Sequence, residues 1–219
     1  MPPSIVLVRH AEASGNREGR VQGRADYELT ELGRAQAAAA AETLARAGVV
    51  AVYSSPLRRA LLTAAAIAGP HGLEPLAVDC LQEMDIGELE GLSLAELREQ
   101  WGDWLRRWQG PGMEDLPMPG GETARQVQER GLRALGEMAG AHGSGVVVAV
   151  AHNFLLLLTL AGVIGAPLHQ FRRLRFAHTG MTWLDPRGEG AWRVRHLNDT
   201  CHLARAGLDP RAGTWRRSA

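Results

Sequence analysis

"VVVAVAHNFLLLLTLAGVIG", residues 146–165, carries no charged side chain, and neither does the rest of the chain between Glu137 and Arg172. A run of that length could span a bilayer. Its texture points elsewhere. "VVVAVA" is β-branched, "FLLLLTLAGVIG" is leucine-rich and helix-like, and His152-Asn153 stand at the join. Polar groups at mid-membrane are expensive. A buried parallel strand running into a buried helix explains the same composition without that cost. The stretch therefore predicts an α/β core and no membrane partner.

The same grammar recurs on either side. "IVLVRH" (5–10) reads as a buried strand ending on Arg9 and His10, and 11–29 as a polar, glycine-punctuated loop. Thr30 can cap an alanine-rich helix through about Ala47, closed by Gly48. "VVAVYSS" predicts a second strand, Ser55-Pro56 the start of a helix "LRRALLTAAAIAG", and "EPLAVDC" a third strand. Ser93 and Glu96 form a capping box for a helix running toward Trp101, and another helix follows from Glu122. "RLRFAHTGMTWL" and "AWRVRHL" predict two strands joined by the turn "DPRGEG". Strand and helix alternate throughout. That order predicts an α/β fold, a three-layer α/β/α sandwich around a mostly parallel sheet of about six strands, with an antiparallel hairpin at one edge.

Composition narrows the chemistry. The chain has 219 residues, 45% of them hydrophobic and 22% charged, and its 24 basic and 24 acidic side chains cancel. A balanced charge gives no global attraction to nucleic acid or to an anionic membrane. Every basic residue is arginine; there is no lysine. A P-loop and a Schiff base are thereby excluded, and anion binding falls to arginine, histidine and backbone N–H groups. Cys80 and Cys201 are far apart and lack metal-ligand spacing, so each is expected as a small buried hydrophobe in a reduced protein. "MPPSIVLVRH" lacks the basic and apolar regions of a secretory leader, so a cytoplasmic location is expected.

In an open parallel sheet, ligands bind beyond the carboxyl ends of the strands. Arg9 and His10 close the first strand, His152 and Asn153 close "VVVAVA", Arg58 and Arg59 lie in the first turn of the helix after the second strand, and Glu83 follows the third. Each alone is an ordinary loop or surface residue. Their convergence on one rim from four separate segments describes a phosphate-type anion site.

These residues carry a resemblance to the histidine phosphatase superfamily, the phosphoglycerate-mutase-like proteins, in its small bacterial branch. "LVRHAE" is similar to that family's strand ending in Arg-His-Gly. "GNREGRVQGRADYELTELGRAQA" follows its next block, at Asn16, Gln22-Gly23, Asp26, Leu29-Thr30, Gly33 and Gln36. "VYSSPLRRALLTA" resembles its Ser-Ser-x-Leu-x-Arg-Ala motif and puts the motif arginine at Arg59 rather than Arg58. "LQEMDIGELEGLS" puts the family acid at Glu83, and "PMPGGET" and "VVVAVAHN" complete the series in order. The resemblance runs from about residue 5 to 200 and implies a phosphomonoesterase domain, set at residues 1–204, while the composition of the last residues reads as a basic tail at 205–219.

It also implies roles. His10 would attack phosphorus as a neutral imidazole whose other nitrogen is held by an acceptor. Arg9, Arg59 and His152, the last if protonated, would offset charge on the transferring group. Glu83 would protonate the leaving alkoxide and then take a proton from the attacking water. Asn16, Gln22 and Asn153 would bind phosphate or substrate. No cofactor and no metal are expected; the partner is a small phosphorylated metabolite, with at most a second copy of the chain in a homodimer. Three positions depart from the family pattern. Ala11 replaces a usual glycine, and would strain the loop if that position has positive φ. Ala13 replaces a frequent hydroxyl, and Asn153 follows His152 where glycine is usual.

Two rival functions remain at this level. A cofactor-dependent phosphoglycerate mutase would carry a longer basic insertion after Glu83; here the segment is short, and Arg106-Arg107 are its local cationic candidates. A non-catalytic phospho-ligand module is disfavoured by the joint presence of His10, Arg59, Glu83 and His152. The remaining histidines, including His178, read as structural. "WGDWLRRW" reads as an aromatic stripe packed on a helix, or as a lid over substrate.

Overall fold

The computed structural model describes residues 2–188 and 190–209. Among them six strands form one sheet: β1 (Ser4–Arg9), β2 (Val49–Ser54), β3 (Leu76–Ala77), β4 (Val146–Ala151), β5 (Met181–Pro186) and β6 (Trp192–Asp199). Their order is β3-β2-β4-β1-β5-β6. The first four are parallel, whereas β5 runs antiparallel to β1 and β6 antiparallel to β5. The mostly parallel sheet and its edge hairpin match the sequence expectation. β1 and β4 pair in register from Ser4↔Val146 to Arg9↔Ala151. Because the register is even to the last residue, His10 and His152 leave the sheet side by side.

The helices are α1 (Ser14–Arg17), α2 (Glu31–Leu44), α3 (Arg58–Ala68), α4 (Leu94–Trp108), α5 (Ala124–Ala141), α6 (Asn153–Val163) and α7 (Cys201–Arg205). The two-residue alternation of a strand sorts β1 and β4 between two cores. Val6, Val8, Val148 and Val150 meet Ala40 and Leu44 of α2 and Ala60, Ala64 and Ile67 of α3. Ile5, Leu7, Val147 and Ala149 meet Val127, Ala134 and Leu135 of α5 and Leu155 and Leu158 of α6. Every residue of β4 is buried. That two-sided burial is why residues 146–151 read as an unbroken apolar run. α6 has 11 residues, and no helix among the described residues is long and apolar enough to cross a membrane.

Caps fix the helix starts. Thr30 accepts from Gly33 N at 2.9 Å, and Ser93 and Thr123 open α4 and α5 with capping boxes. A β-carbon at residue 33 would overlap the carbonyl oxygen of Glu12, so glycine lets α2 start tight against the loop after β1. Four local expectations need correction. α3 begins at Arg58, two residues past Pro56, because Ser55 Oγ accepts from Leu57 N (3.2 Å) in the turn before the helix. β3 is two residues long and passes straight into a 3-10 turn at Asp79–Leu81. α4 continues through Trp101, where it bends (φ −125°, ψ 20°), to Trp108. Residues 173–180 are not strand: a 3-10 segment ends at Arg173, and β5 starts only at Met181. Cys80 is half-buried against the core and Cys201 is exposed at the start of α7, so neither is the fully buried side chain expected. Arg205 is the last residue of α7, and residues 210–219 of the expected tail lie outside the described residues.

Candidate active site

Five segments converge at the carboxyl ends of β1 and β4. The His10 and His152 ring centroids are 5.1 Å apart, with His10 3% exposed and His152 fully buried. His10 N donates to Ala151 O at 2.9 Å, which ties the end of one strand to the other. The His10 Nδ1 atom lies 2.7 Å from Ala11 O. A carbonyl oxygen can only accept, so Nδ1 carries the ring hydrogen and Nε2 keeps its lone pair. This is the acceptor-held imidazole expected of a nucleophile. Ala11 is buried and its φ is not positive, so replacing glycine there costs no backbone strain.

Arg59, not Arg58, is the buried arginine. Arg59 is 1% exposed and donates to Ala25 O (2.6 Å) and Gly23 O (2.7 Å), pinning the loop that carries Gln22. Arg58 points outward and pairs with Glu28. Arg9 donates to Phe176 O at 2.8 Å. Burial lowers the Arg9 guanidinium to about 10 against the opposing pull of Glu83, so it stays charged at neutral pH. Burial also lowers Arg59, again opposed mainly by Glu83. Gln22 is nearly buried, with no partner on its Oε1. The Asn16 Oδ1 instead accepts from Ala13 N (3.0 Å), so part of that side chain serves its own loop. Asn153 is the first residue of α6, beside His152.

Glu83 reaches the same place from the far side of the sheet. Its Oε2 accepts from Phe154 N, and its Oε1 accepts from Leu155 N and from Met84 N, at 3.1, 3.1 and 2.9 Å. The carboxylate thus sits on the positive end of α6, within three residues of His152. Its backbone is clamped as well. Arg130 donates to the carbonyls of Cys80, Gln82 and Glu83 and makes a two-pronged contact with Glu122, while Arg24 bonds Glu83 O and Asp85. Sequence reading missed this clamp, because Arg130 on an amphipathic helix reads as a solvated side chain. Arg130→Ala would strand the carbonyls of Cys80 and Gln82 and leave Glu83 O and Glu122 to Arg24. Urea unfolding is expected to show a loss of about 2 kcal/mol.

The aromatic stripe packs beside the acid. Trp104 stacks on Trp108 (5.7 Å), and Trp108 meets Phe154 (5.7 Å) and Phe171 (5.9 Å) edge-on. Since Phe154 N also bonds Glu83, α4 forms an apolar wall next to the carboxylate.

Burial, reinforced first by the Arg59 charge, holds both His10 and His152 well below the ordinary histidine value of 6.5. His152 is therefore neutral in the unliganded site, and the expected cationic form requires an incoming anion. The same shift has a stability consequence. Below pH 6.5 the unfolded chain takes up protons that the folded chain refuses. Stability is thus complete above that value and falls as pH drops toward the lowered native values. The protein is therefore expected to be less stable at pH 5 than at pH 8. Urea melts at the two pH values check this, and a His10→Gln/His152→Gln double variant should lose most of the difference.

His178, read from sequence as structural, is also here: its ring centroid lies 5.9 Å from that of His10, and it is 1% exposed. Among the described residues no His/Cys/Asp/Glu group could hold a metal ion.

Comparison with known proteins follows the same line. Residues 5–200 match the family model of the histidine phosphatase superfamily (branch 1). Phosphoserine phosphatase 1 of Hydrogenobacter thermophilus is 33% identical over 200 residues, covering 91% of this chain and 93% of that protein. A probable phosphoglycerate mutase of Yersinia pestis is 31% identical over 209 residues, covering 94% and 97%. The structure of a mycobacterial glucosyl-3-phosphoglycerate phosphatase complexed with VO3 superposes with a TM-score of 0.81 at 28% identity, covering 90% of this chain and all of that one.

Proposed function

This chain belongs to branch 1 of the histidine phosphatase superfamily, and from that membership and the geometry of the cleft we propose that it hydrolyses small phosphomonoesters through a phosphohistidine on His10. The observation that carries this reading is the pairing of a free His10 Nε2 with a second buried imidazole 5.1 Å away, near the half-buried Arg9 and the buried Arg59.

The phosphoryl group sits among Arg9, Arg59 and His152, which offset charge on its oxygens as bonding to the leaving oxygen weakens. His10 Nε2 forms the new bond to phosphorus, and Ala11 O holds the Nδ1 hydrogen as the ring gains positive charge. Glu83, in its protonated form, delivers its proton to the leaving alkoxide. The resulting carboxylate then takes a proton from water. That water attacks phosphorus, the P–N bond breaks, and inorganic phosphate leaves with His10 restored. Gln22, Asn16 and Asn153 supply neutral hydrogen bonds at the rim. The domain extends over residues 1–204, and the protein works in the cytoplasm.

Hydrolysis is favoured over phosphate return to a bound sugar acid. Arg106 and Arg107, the cationic candidates of the short segment after Glu83, lie on the exposed side of α4, where Arg106 pairs with Asp103. The expected result is turnover of p-nitrophenyl phosphate that survives EDTA, with no interconversion of 3- and 2-phosphoglycerate. Mutase activity exceeding phosphatase activity would overturn the reading. A panel of sugar phosphates, nucleoside phosphates and phosphoserine then identifies the substrate.

A further inference from the structure

The cleft holds three imidazoles, and the reading above uses two. β1 lies between β4 and β5. His152 follows β4, His10 follows β1, and His178 comes three residues before β5, which runs the opposite way. The three side chains therefore flank the same end of adjacent strands, with His10 in the middle, 5.1 Å from one neighbour and 5.9 Å from the other.

The backbone that presents His178 is unusual. Residues 177–180 form a turn closed by Gly180 N donating to Ala177 O at 3.0 Å. Its third residue, Thr179, has φ +54°. A β-branched residue in the left-handed region is a genuine outlier and holds backbone strain. The turn is over-determined by its surroundings. Thr179 N donates to Arg9 O (2.9 Å), and Ala177 N donates to Asn198 Oδ1 (2.8 Å). Thr179 Oγ1 donates to His178 O at 2.8 Å and also lies 2.9 Å from Nε2 of the buried His202. Gly180 is required because a β-carbon there would overlap Asn198 Oδ1. Strain held in place by this many contacts marks a position whose geometry matters. The turn fixes the His178 backbone one residue from the Arg9 carbonyl contact, beside the nucleophile.

We infer that His178 is a third phosphate-contacting imidazole, a hydrogen-bond donor to an oxygen of the transferring phosphoryl group, aimed by the strained Thr179 turn and its His202 latch. The inference rests on the phosphohydrolase reading and adds a catalytic residue to it. It places donors on both flanks of His10, one from each neighbouring strand, where a group in line with Nε2 presents its equatorial oxygens.

Orthovanadate binding separates this role from simple packing. In wild-type protein with 15N-labelled histidine, vanadate should shift the ring signals of His10, His152 and His178, with the last assigned from the spectrum of His178→Asn. His178→Leu, which keeps the volume and loses the donor, is expected to weaken vanadate binding ten- to a hundredfold by calorimetry. It should lower kcat/KM on p-nitrophenyl phosphate by at least as much. His178→Gln or His178→Asn should recover part of both losses. Vanadate that shifts His10 and His152 but leaves the His178 ring unmoved overturns this inference alone, and needs no folded leucine variant. A folded His178→Leu protein with wild-type affinity and turnover does the same. Vanadate that moves none of the three rings overturns the phosphohydrolase reading itself.

Discussion

His10→Ala should lower phosphatase turnover by at least about 10⁴-fold, to the level of the uncatalysed reaction with bound substrate. Residue 10 is the point at which the two parallel strands of the core deliver a lone pair. Val8 and Arg9 are locked beside Val150 and Ala151 by the β1–β4 register, and Ala11 O fixes which ring nitrogen is free. The neighbours do not replace it, because Arg9 and Arg59 are cations and the His152 and His178 rings start from other segments. Vanadate binding should fall much less, since Arg9 and Arg59 remain. Loss of turnover with binding retained is the signature of a nucleophile rather than of a structural histidine.

Glu83→Gln should slow turnover by about 10²–10⁴-fold, the usual range for removing a general acid–base group. Glutamine keeps the size of the side chain and one accepting oxygen, but its NH2 group faces a backbone N–H from which Glu83 accepts, so melting temperature should fall modestly while phosphate affinity is retained. The leaving group supplies the discriminating measurement. Phosphorylation of His10 by p-nitrophenyl phosphate expels an anion that needs no proton, so the burst of p-nitrophenolate should survive while steady turnover slows. An alkyl phosphate should lose both. An equal effect on both substrates, or an unfolded variant, would assign Glu83 to holding α6 rather than to proton transfer.

Much of this was legible in the chain. The apolar run at 146–151 and the run at 5–10 each end on a histidine, and the rule that ligands gather at strand carboxyl ends brought Arg9, His10, His152 and Glu83 together. The side of α3 that is buried could not be read from "LRRA" alone. The resemblance chose Arg59, and its 1% exposure agrees. What escaped sequence reading has a common physical origin. "RLRFAHTGMTWL" has strand composition, but a left-handed Thr179 breaks it, and no periodicity announces a positive φ at a threonine. Arg130 escaped because a long cationic side chain on a helix carries the same pattern whether it meets water or three carbonyls. Both are long-range outcomes. They depend on which loops face each other once the sheet is assembled.

The central claim is that phosphorus is bonded to one nitrogen of residue 10 during turnover. Rapid mixing with excess substrate, followed by an alkaline quench that preserves phosphoramidates and peptide mapping by mass spectrometry, tests it most directly. The account predicts a single phosphorylated peptide, carrying the group on His10, that forms at least as fast as steady turnover and accumulates in Glu83→Gln. A protein that turns over at full rate with no phosphorylated peptide, or with the group on His152 instead, would contradict it.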